Sequence, residues 1–389
     1  MMRILIITRS DIRGGGIGGG TIFISNLIKT LCGKGYQTIV VCDPILAMHL
    51  RNKCRSVTLI LLCNSLLYNE LISFIHAFLS LPKLLSLTMK IRPHILFTNV
   101  GAFVPITFAI CKLLGIPMIV YKADASFIYS LNPYSIAERF ILKAFRFDAL
   151  ISCNAFFFRA YKALRGKSRC FIIPLGCDLT LFHPFPRWKI MRLKRALGIN
   201  DQVNVVIFIG RLIKKKGILE LLKAFEIVTQ AHPNVILLIV GKGKLERRIR
   251  EMIKKSVLLR SRVRLLGNVA HEQIPLLLAV SDFLVLPSKS ELTPRVVMEA
   301  LACGKPVIIT DIPALRSLDI DQKAGIMIPP NDVRSLANAM LLLLKKPDLR
   351  RKLADKGPDI AREHSYEKWS SAIITIFEEI SHESGKKRN

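Results

Sequence analysis

The chain has 389 residues, 51% of them apolar, which is enough to fill two α/β-sized cores. Its 58 Lys and Arg against 28 Asp and Glu give a formal charge of +30. Such a surplus must coat the surface and favours an anionic partner: nucleic acid, an anionic bilayer or a phosphorylated small molecule. The nine cysteines form no CxxC and no Cys/His cluster, so the pattern speaks against structural zinc and for reduced thiols in the cytoplasm.

In chain order, Arg3–Thr8 reads as an apolar strand, followed by the glycine-rich stretch SDIRGGGIGGG and a helix over Thr21–Cys32. The opening apolar run is too short for a signal peptide, and none is expected. YQTIVVC is the next strand, completing a βαβ opening of a parallel sheet. The greasiest region, Val57–Leu87, is broken by Asn64, Asn69, Glu70, His76, Pro82 and Lys83, too often for a bilayer-spanning helix. That leaves a core-packed helix or an amphipathic face lying on a membrane. RPHILFTNV, a helix over Pro105–Leu114, IPMIVYKAD, FDALISCN and SRCFIIPLG continue the strand–helix rhythm. His94, in RPHI, reads as structural.

The rhythm weakens over the basic, Pro-rich FHPFPRWK, where the domain junction is expected, between residues 182 and 183. It restarts with strands NVVIFIG, NVILLIVG, RVRLLG, DFLVLPS, KPVIIT and AGIMIP, separated by helical stretches such as LELLKAFEIV, KLERRIREMI, HEQIPLLLAV and VVMEALAC. Their unbroken apolar character suits strands covered on both faces. Each half is therefore expected to be an open, mostly parallel α/β unit that binds its ligand at the carboxyl ends of the strands.

Three constellations carry chemistry. Gly14, Gly16 and Gly19 formally match GxGxxG, with Asp43 at the end of the next strand where a dinucleotide fingerprint places its ribose-binding acid. SDIR intervenes, however, and there are too many glycines for one tight turn. What survives is a wall of bare backbone near a helix N-terminus, suited to a phosphate or sugar. In IGRLIKKKG, Arg211 and Lys216 stand between a strand and a helix start, an unfavourable place for cations unless an anion joins them. In PSKSELTPRVVMEALACGKPVIIT, Glu291 lies in the loop and Glu299 in the helix that Pro294 opens. A carboxylate there needs a partner such as ribose hydroxyls or a cation.

Together, the GRLxxxKG turn, the paired glutamates followed by EALACGKPVI, the N-terminal glycine loop and PLGCDLTLFHP resemble the retaining nucleotide-sugar glycosyltransferases of family 4, the glycogen-synthase-like group. The resemblance implies two Rossmann-like domains facing across a cleft (the GT-B type), residues 1–182 on the acceptor side and 183–365 on the donor side. A last helix from residue 366 would cross back to the first domain, ahead of a basic tail. It implies that Arg211 and Lys216 hold the donor diphosphate, that Glu299 binds the ribose, and that Glu291 contacts the transferred sugar near its anomeric carbon. Gly243 and Gly267 would line the base pocket, and Gly18 and Gly19 would pack near the phosphates or the acceptor. No metal and no separate cofactor are implied, because cationic side chains and helix ends take that role.

The chain departs from the family in two places. Where many members carry Glu-Gly-Phe-Gly, it has Glu291-Leu292-Thr293-Pro294-Arg295, so Thr293 and Arg295 become sugar-proximal candidates. Where many members carry a histidine, IVYKADASF offers Lys122 and Asp124, a phosphate contact and a sugar-hydroxyl contact.

The first domain should select a glycan or lipid-linked acceptor. FFFRAYKALRGK, three phenylalanines abutting a basic run, fits an interfacial segment attracted to an anionic membrane, or else core aromatics with a solvated basic flank. Two alternatives stand beside the transferase reading: a dinucleotide oxidoreductase or sugar epimerase on a related fold, and a non-catalytic scaffold or nucleic-acid binder. The spread of the basic residues and the 7% aromatic content speak against nucleic acid.

Overall fold

The computed structural model describes residues 2–8, 12–13, 16–17, 19–51, 56–61, 78–99, 101–122, 133–153, 155–291, 294–316 and 318–386. The chain divides into two compact units: Met1–Pro174 with Trp369–Asn389, and Leu175–Lys368. The division falls eight residues before the expected junction, so that Leu175–Phe182 belongs to the second unit.

The first unit holds β1 (Arg3–Ile7), β2 (Ile12–Arg13), β3 (Gly16–Ile17), β4 (Gln37–Cys42), β5 (Thr58–Leu61), β6 (Ile95–Thr98), β7 (Met118–Lys122), β8 (Ala149–Ser152) and β9 (Cys170–Ile172). Seven of these form one sheet in the order β5-β4-β1-β6-β7-β8-β9, every pairing parallel. In β1, β4, β6, β7 and β8 nearly every residue is buried, as strands with helices on both faces require.

Ile12 and Arg13 pair antiparallel with Ile17 and Gly16, and a helix starts at Gly19. The Asp43 carboxylate accepts from the N–H groups of Ile45 and Leu46, at 3.0 and 3.1 Å, and so caps the helix Pro44–Arg51. That cap gives the acid a structural role in its own unit. His94 is structural, its Nδ1 accepting from the Arg3 N–H at 3.0 Å.

The last helix, Tyr366–Lys386, joins the first unit from Trp369 onward. It buries Trp369, Ile373, Ile374, Ile376, Phe377 and Ile380. Trp369 meets Phe23 edge-on with ring centres 4.9 Å apart, and Phe377 meets Phe97 at 5.7 Å. Glu383 and Arg169 pair at 2.7 Å.

The second unit holds β10 (Asn204–Ile209), β11 (Val235–Val240), β12 (Val263–Gly267), β13 (Phe283–Leu286), β14 (Val307–Thr310) and β15 (Gly325–Ile328). They form one parallel sheet in the order β12-β11-β10-β13-β14-β15. The chain steps one way from β10 to β12 and the other way from β13 to β15, so the direction reverses between β10 and β13. Outside the carboxyl ends of these two strands lies the crevice where open α/β sheets take their ligands. Among the described residues, no helix is long and apolar enough to cross a membrane. All seven described cysteines are free thiols.

Candidate active site

Both ends of the switch point carry charge. After β10, Gly210 and the exposed Arg211 lead into a short turn that ends at Lys216 and Gly217. After β13, Pro287 and Ser288 lead to Glu291. Lys216 Nζ forms an ion pair with Glu291, whose side chains are 15% and 8% exposed. Ser288, fully buried, donates its hydroxyl to the same carboxylate oxygen at 2.6 Å.

Gly217 makes this meeting possible. Its φ of +67° is left-handed, and a Cβ there would lie 1.9 Å from the Pro287 carbonyl oxygen. Only a bare backbone lets the two loops come this close. The Lys289 N–H then bonds the Lys215 carbonyl at 2.8 Å, tying the loops together. Directly behind Gly217 the helix Ile218–Ala231 begins with no side-chain cap, so its first N–H groups are left for another acceptor.

Glu299 sits in the helix Arg295–Ala302 and is 7% exposed. His271 Nε2 lies 2.9 Å from its Oε1, the ring donating to the carboxylate. The His271 ring packs edge-on against Phe182, 5.2 Å away. Glu299 and Arg295, one helical turn apart, line a pocket with Leu175–Asp178, Phe182 and Tyr366. Burial raises the Tyr366 hydroxyl to about 12, against the pull of Arg295. Burial likewise raises the Cys177 thiol above its ordinary range.

Gly243 and Gly267 stand at the neighbouring strand ends. A Cβ on Gly243 would come within 2.4 Å of the Leu212 carbonyl oxygen, so this loop needs glycine to pack on the turn after β10. Gly267 adopts φ +69°, and its carbonyl accepts from the Gly241 N–H at 2.7 Å.

Arg211, Lys216, Glu291, Glu299, Arg295, Gly243 and Gly267 thus share the carboxyl-end face of one sheet. Lys122 differs. It ends β7 in the first unit, is 8% exposed, and forms an ion pair with Glu138. Its charge is matched within its own unit by that carboxylate. Gly19 opens a helix. Gly18, Asp124 and Thr293 lie outside the described residues.

Sequence reasoning missed His271 and Ser288. His271 looked like part of a helical stretch, HEQIPLLLAV, and nothing in spacing links it to an acid 28 positions later. Ser288 carried a weak signal, a hydroxyl directly behind an apolar strand.

A family described as "Glycosyl transferases group 1" matches residues 190–359. Among curated proteins, the chain is 26% identical to a D-inositol 3-phosphate glycosyltransferase of Corynebacterium urealyticum, over 55% of this chain and 52% of that one. It is 27% identical to a GDP-mannose-dependent monoacylated α-(1-6)-phosphatidylinositol monomannoside mannosyltransferase of Corynebacterium glutamicum, over 58% of this chain and 60% of that one. The chain spans about half the length of the curated relatives it matches. Among solved structures, Anabaena Alr3699/HepE in complex with UDP superposes with a TM-score of 0.81 at 19% identity, over 97% of this chain and 100% of that one. At that identity the likeness shows the fold, two Rossmann-like units of the GT-B type.

Proposed function

We propose, from the match of residues 190–359 to the group 1 glycosyl transferases, that the protein is a retaining glycosyltransferase using a nucleotide-sugar donor. The observation that carries the proposal is the Lys216–Glu291 pair at the β10/β13 switch point, with Glu299 on the helix that follows. Lys216, Arg211 and the uncapped start of helix Ile218–Ala231 offer positive charge and N–H donors to a diphosphate. Glu299, held by His271, offers a carboxylate to the ribose hydroxyls. Glu291 offers a second carboxylate, toward the positive charge that develops on the anomeric carbon. The bond from that carbon to the leaving phosphate oxygen breaks, and a bond to the acceptor oxygen forms on the same face. The acceptor proton passes to the departing phosphate. Cationic side chains stabilise that phosphate, the role a divalent ion has elsewhere, so metal independence is part of the proposal. The acceptor is a glycan or a lipid-linked glycan, and the enzyme works beside an anionic membrane, at its cytoplasmic face. The phosphoinositide-type acceptor in the name of one relative supports that direction.

A ligand that binds the folded state raises the thermal midpoint by mass action, worth about 2.7 kcal/mol at 100 times its Kd. UDP-, GDP- and ADP-sugars are therefore screened by thermal shift, with NAD as the contrast. At least one nucleotide sugar is expected to stabilise the protein, and Lys216→Ala or Glu299→Ala to abolish both the shift and transfer with the fold intact. Stabilisation by NAD alone, or unchanged transfer in both variants, refutes the reading.

A further inference from the structure

We propose that the outer surface of the helical layer on one face of the first unit's sheet docks onto an anionic phospholipid bilayer. The proposal gives a location to the membrane part of the reading above and uses none of its transfer chemistry.

From β5 onward the chain steps in one direction through β6, β7, β8 and β9. Right-handed crossovers therefore put the intervening helices on the same face. Among the described residues these are Leu81–Ile91, Val104–Leu114, Pro133–Ala144 and Ala155–Ala163. Their inward side chains, among them Leu84, Ile110, Leu142 and Phe157, share one core with Leu5, Leu96 and Val120 of the sheet. The four helices contain seven Lys and Arg and a single acid, Glu138. Glu138 is turned inward onto Lys122 of β7, and its side chain is 13% exposed. The ion pair with Lys122 thereby also turns the one acid of these four described helices away from their outer surface.

That surface is apolar as well as basic. On Pro133–Ala144, Ile136 and Phe140 stand one turn apart, 51% and 68% exposed, with the exposed Lys143 a turn further on. On Val104–Leu114, Leu113 is 72% exposed beside the exposed Lys112. The Phe108 and Phe145 rings stack at 4.5 Å, joining this helix to the end of Pro133–Ala144. On Leu81–Ile91, Met89 is 50% exposed beside the exposed Lys90.

Aliphatic tips interleaved with cations suit the headgroup–acyl boundary, where the tips leave water and the cations meet lipid phosphates. A nucleic acid would use the charge but gains little from Ile, Leu and Met, which offer no flat face for base stacking. FFFRAYKALRGK takes a smaller part than its composition suggested. Phe157 and Tyr161 are each 1% exposed in the core, and the segment presents Arg159 and Lys162 outward.

The test is sedimentation of the full chain with vesicles of phosphatidylcholine, with and without phosphatidylglycerol. The unaltered protein should partition onto the anionic vesicles and scarcely onto the neutral ones. Ile136→Ser with Phe140→Ser, and separately Lys112→Glu with Lys143→Glu, should each lower partitioning roughly tenfold. All four side chains are exposed, and unchanged circular dichroism and thermal midpoint establish that the variants fold. Arg247→Glu with Arg248→Glu, on an exposed helix of the second unit, should leave partitioning unchanged. If the surface variants bind like the unaltered protein while the control pair does not, this surface is wrong and membrane association survives elsewhere. If the unaltered protein ignores anionic vesicles at low salt, the surface and the membrane reading both fall, and the thermal-shift result for nucleotide sugars still stands. If the serine pair binds normally, the glutamate pair does not, and duplex DNA binds as tightly as the vesicles, the surface recognises polyanions and the bilayer assignment is overturned.

Discussion

His271 holds Glu299 through one 2.9 Å contact, and a hydrogen bond to a charged acceptor is worth about 1.5–3 kcal/mol. His271→Ala should therefore weaken donor binding about tenfold or more, with His271→Gln recovering part of the loss by restoring an N–H donor; calorimetric titration of the donor measures both. An unchanged affinity in His271→Ala would remove the histidine from the site. The placement of Glu299 and Lys216 beside strand ends was legible in the sequence, because each follows an apolar run that ends at a turn, while the roles expected of them came from the family resemblance. His271 was not legible, because its significance arises only when the short turn that carries it, after β12, meets the helix Arg295–Ala302. The pairing of Lys122 with Glu138 was hidden for a related reason, since it forms only when the helix supplying Glu138 is folded over the strand end.

The helix Pro347–Glu363 runs straight through Lys356-Gly357-Pro358, a sequence that reads as a stop. Tertiary packing overrides it. Gly357 lies against the helix Arg295–Ala302, where a Cβ would come within 2.7 Å of the Leu301 carbonyl oxygen. The contact demands glycine more strongly than helix propensity disfavours it. Gly357→Val should thus destabilise the second unit by about 1–3 kcal/mol through overpacking, read as a lower urea midpoint. Because the displaced helix carries Glu299, donor affinity should fall with it. Strands were the more legible elements. An apolar run such as VILLIV or FLVL is buried on both faces of a parallel sheet whatever its neighbours, whereas short helices such as Pro44–Arg51 depend on a cap, here Asp43, whose role emerges only once the chain turns.

A formal charge of +30 acts on folding and binding in opposite directions. Between about 0.1 M and about 1 M salt the Debye length falls from roughly 10 Å to roughly 3 Å. Screening should relieve self-repulsion and raise the thermal midpoint, while weakening the hold of Arg211 and Lys216 on a donor diphosphate. Scanning fluorimetry with and without the nucleotide sugar should show the apo midpoint rising with sodium chloride and the ligand-induced shift shrinking. A shift that grows with salt would mean that charge does not drive binding. The two-unit organisation was readable from the restart of strand–helix alternation; the division at Pro174 was not, because Leu175–Phe182 joins the second unit through long-range contacts, such as the Cys177 N–H to the His364 carbonyl at 2.7 Å. The helix from Trp369 has a consequence for synthesis. It supplies Trp369 and Phe377 to a hydrophobic face whose other members, Phe23 and Phe97, leave the ribosome early. The intervening unit of about 200 residues takes on the order of 10–40 s to translate at roughly 5–20 residues per second. Throughout that interval the nascent first unit carries an uncovered apolar face, so the part of the protein made first is the last to be finished, and a chaperone that shields aromatic surface has its longest opportunity there.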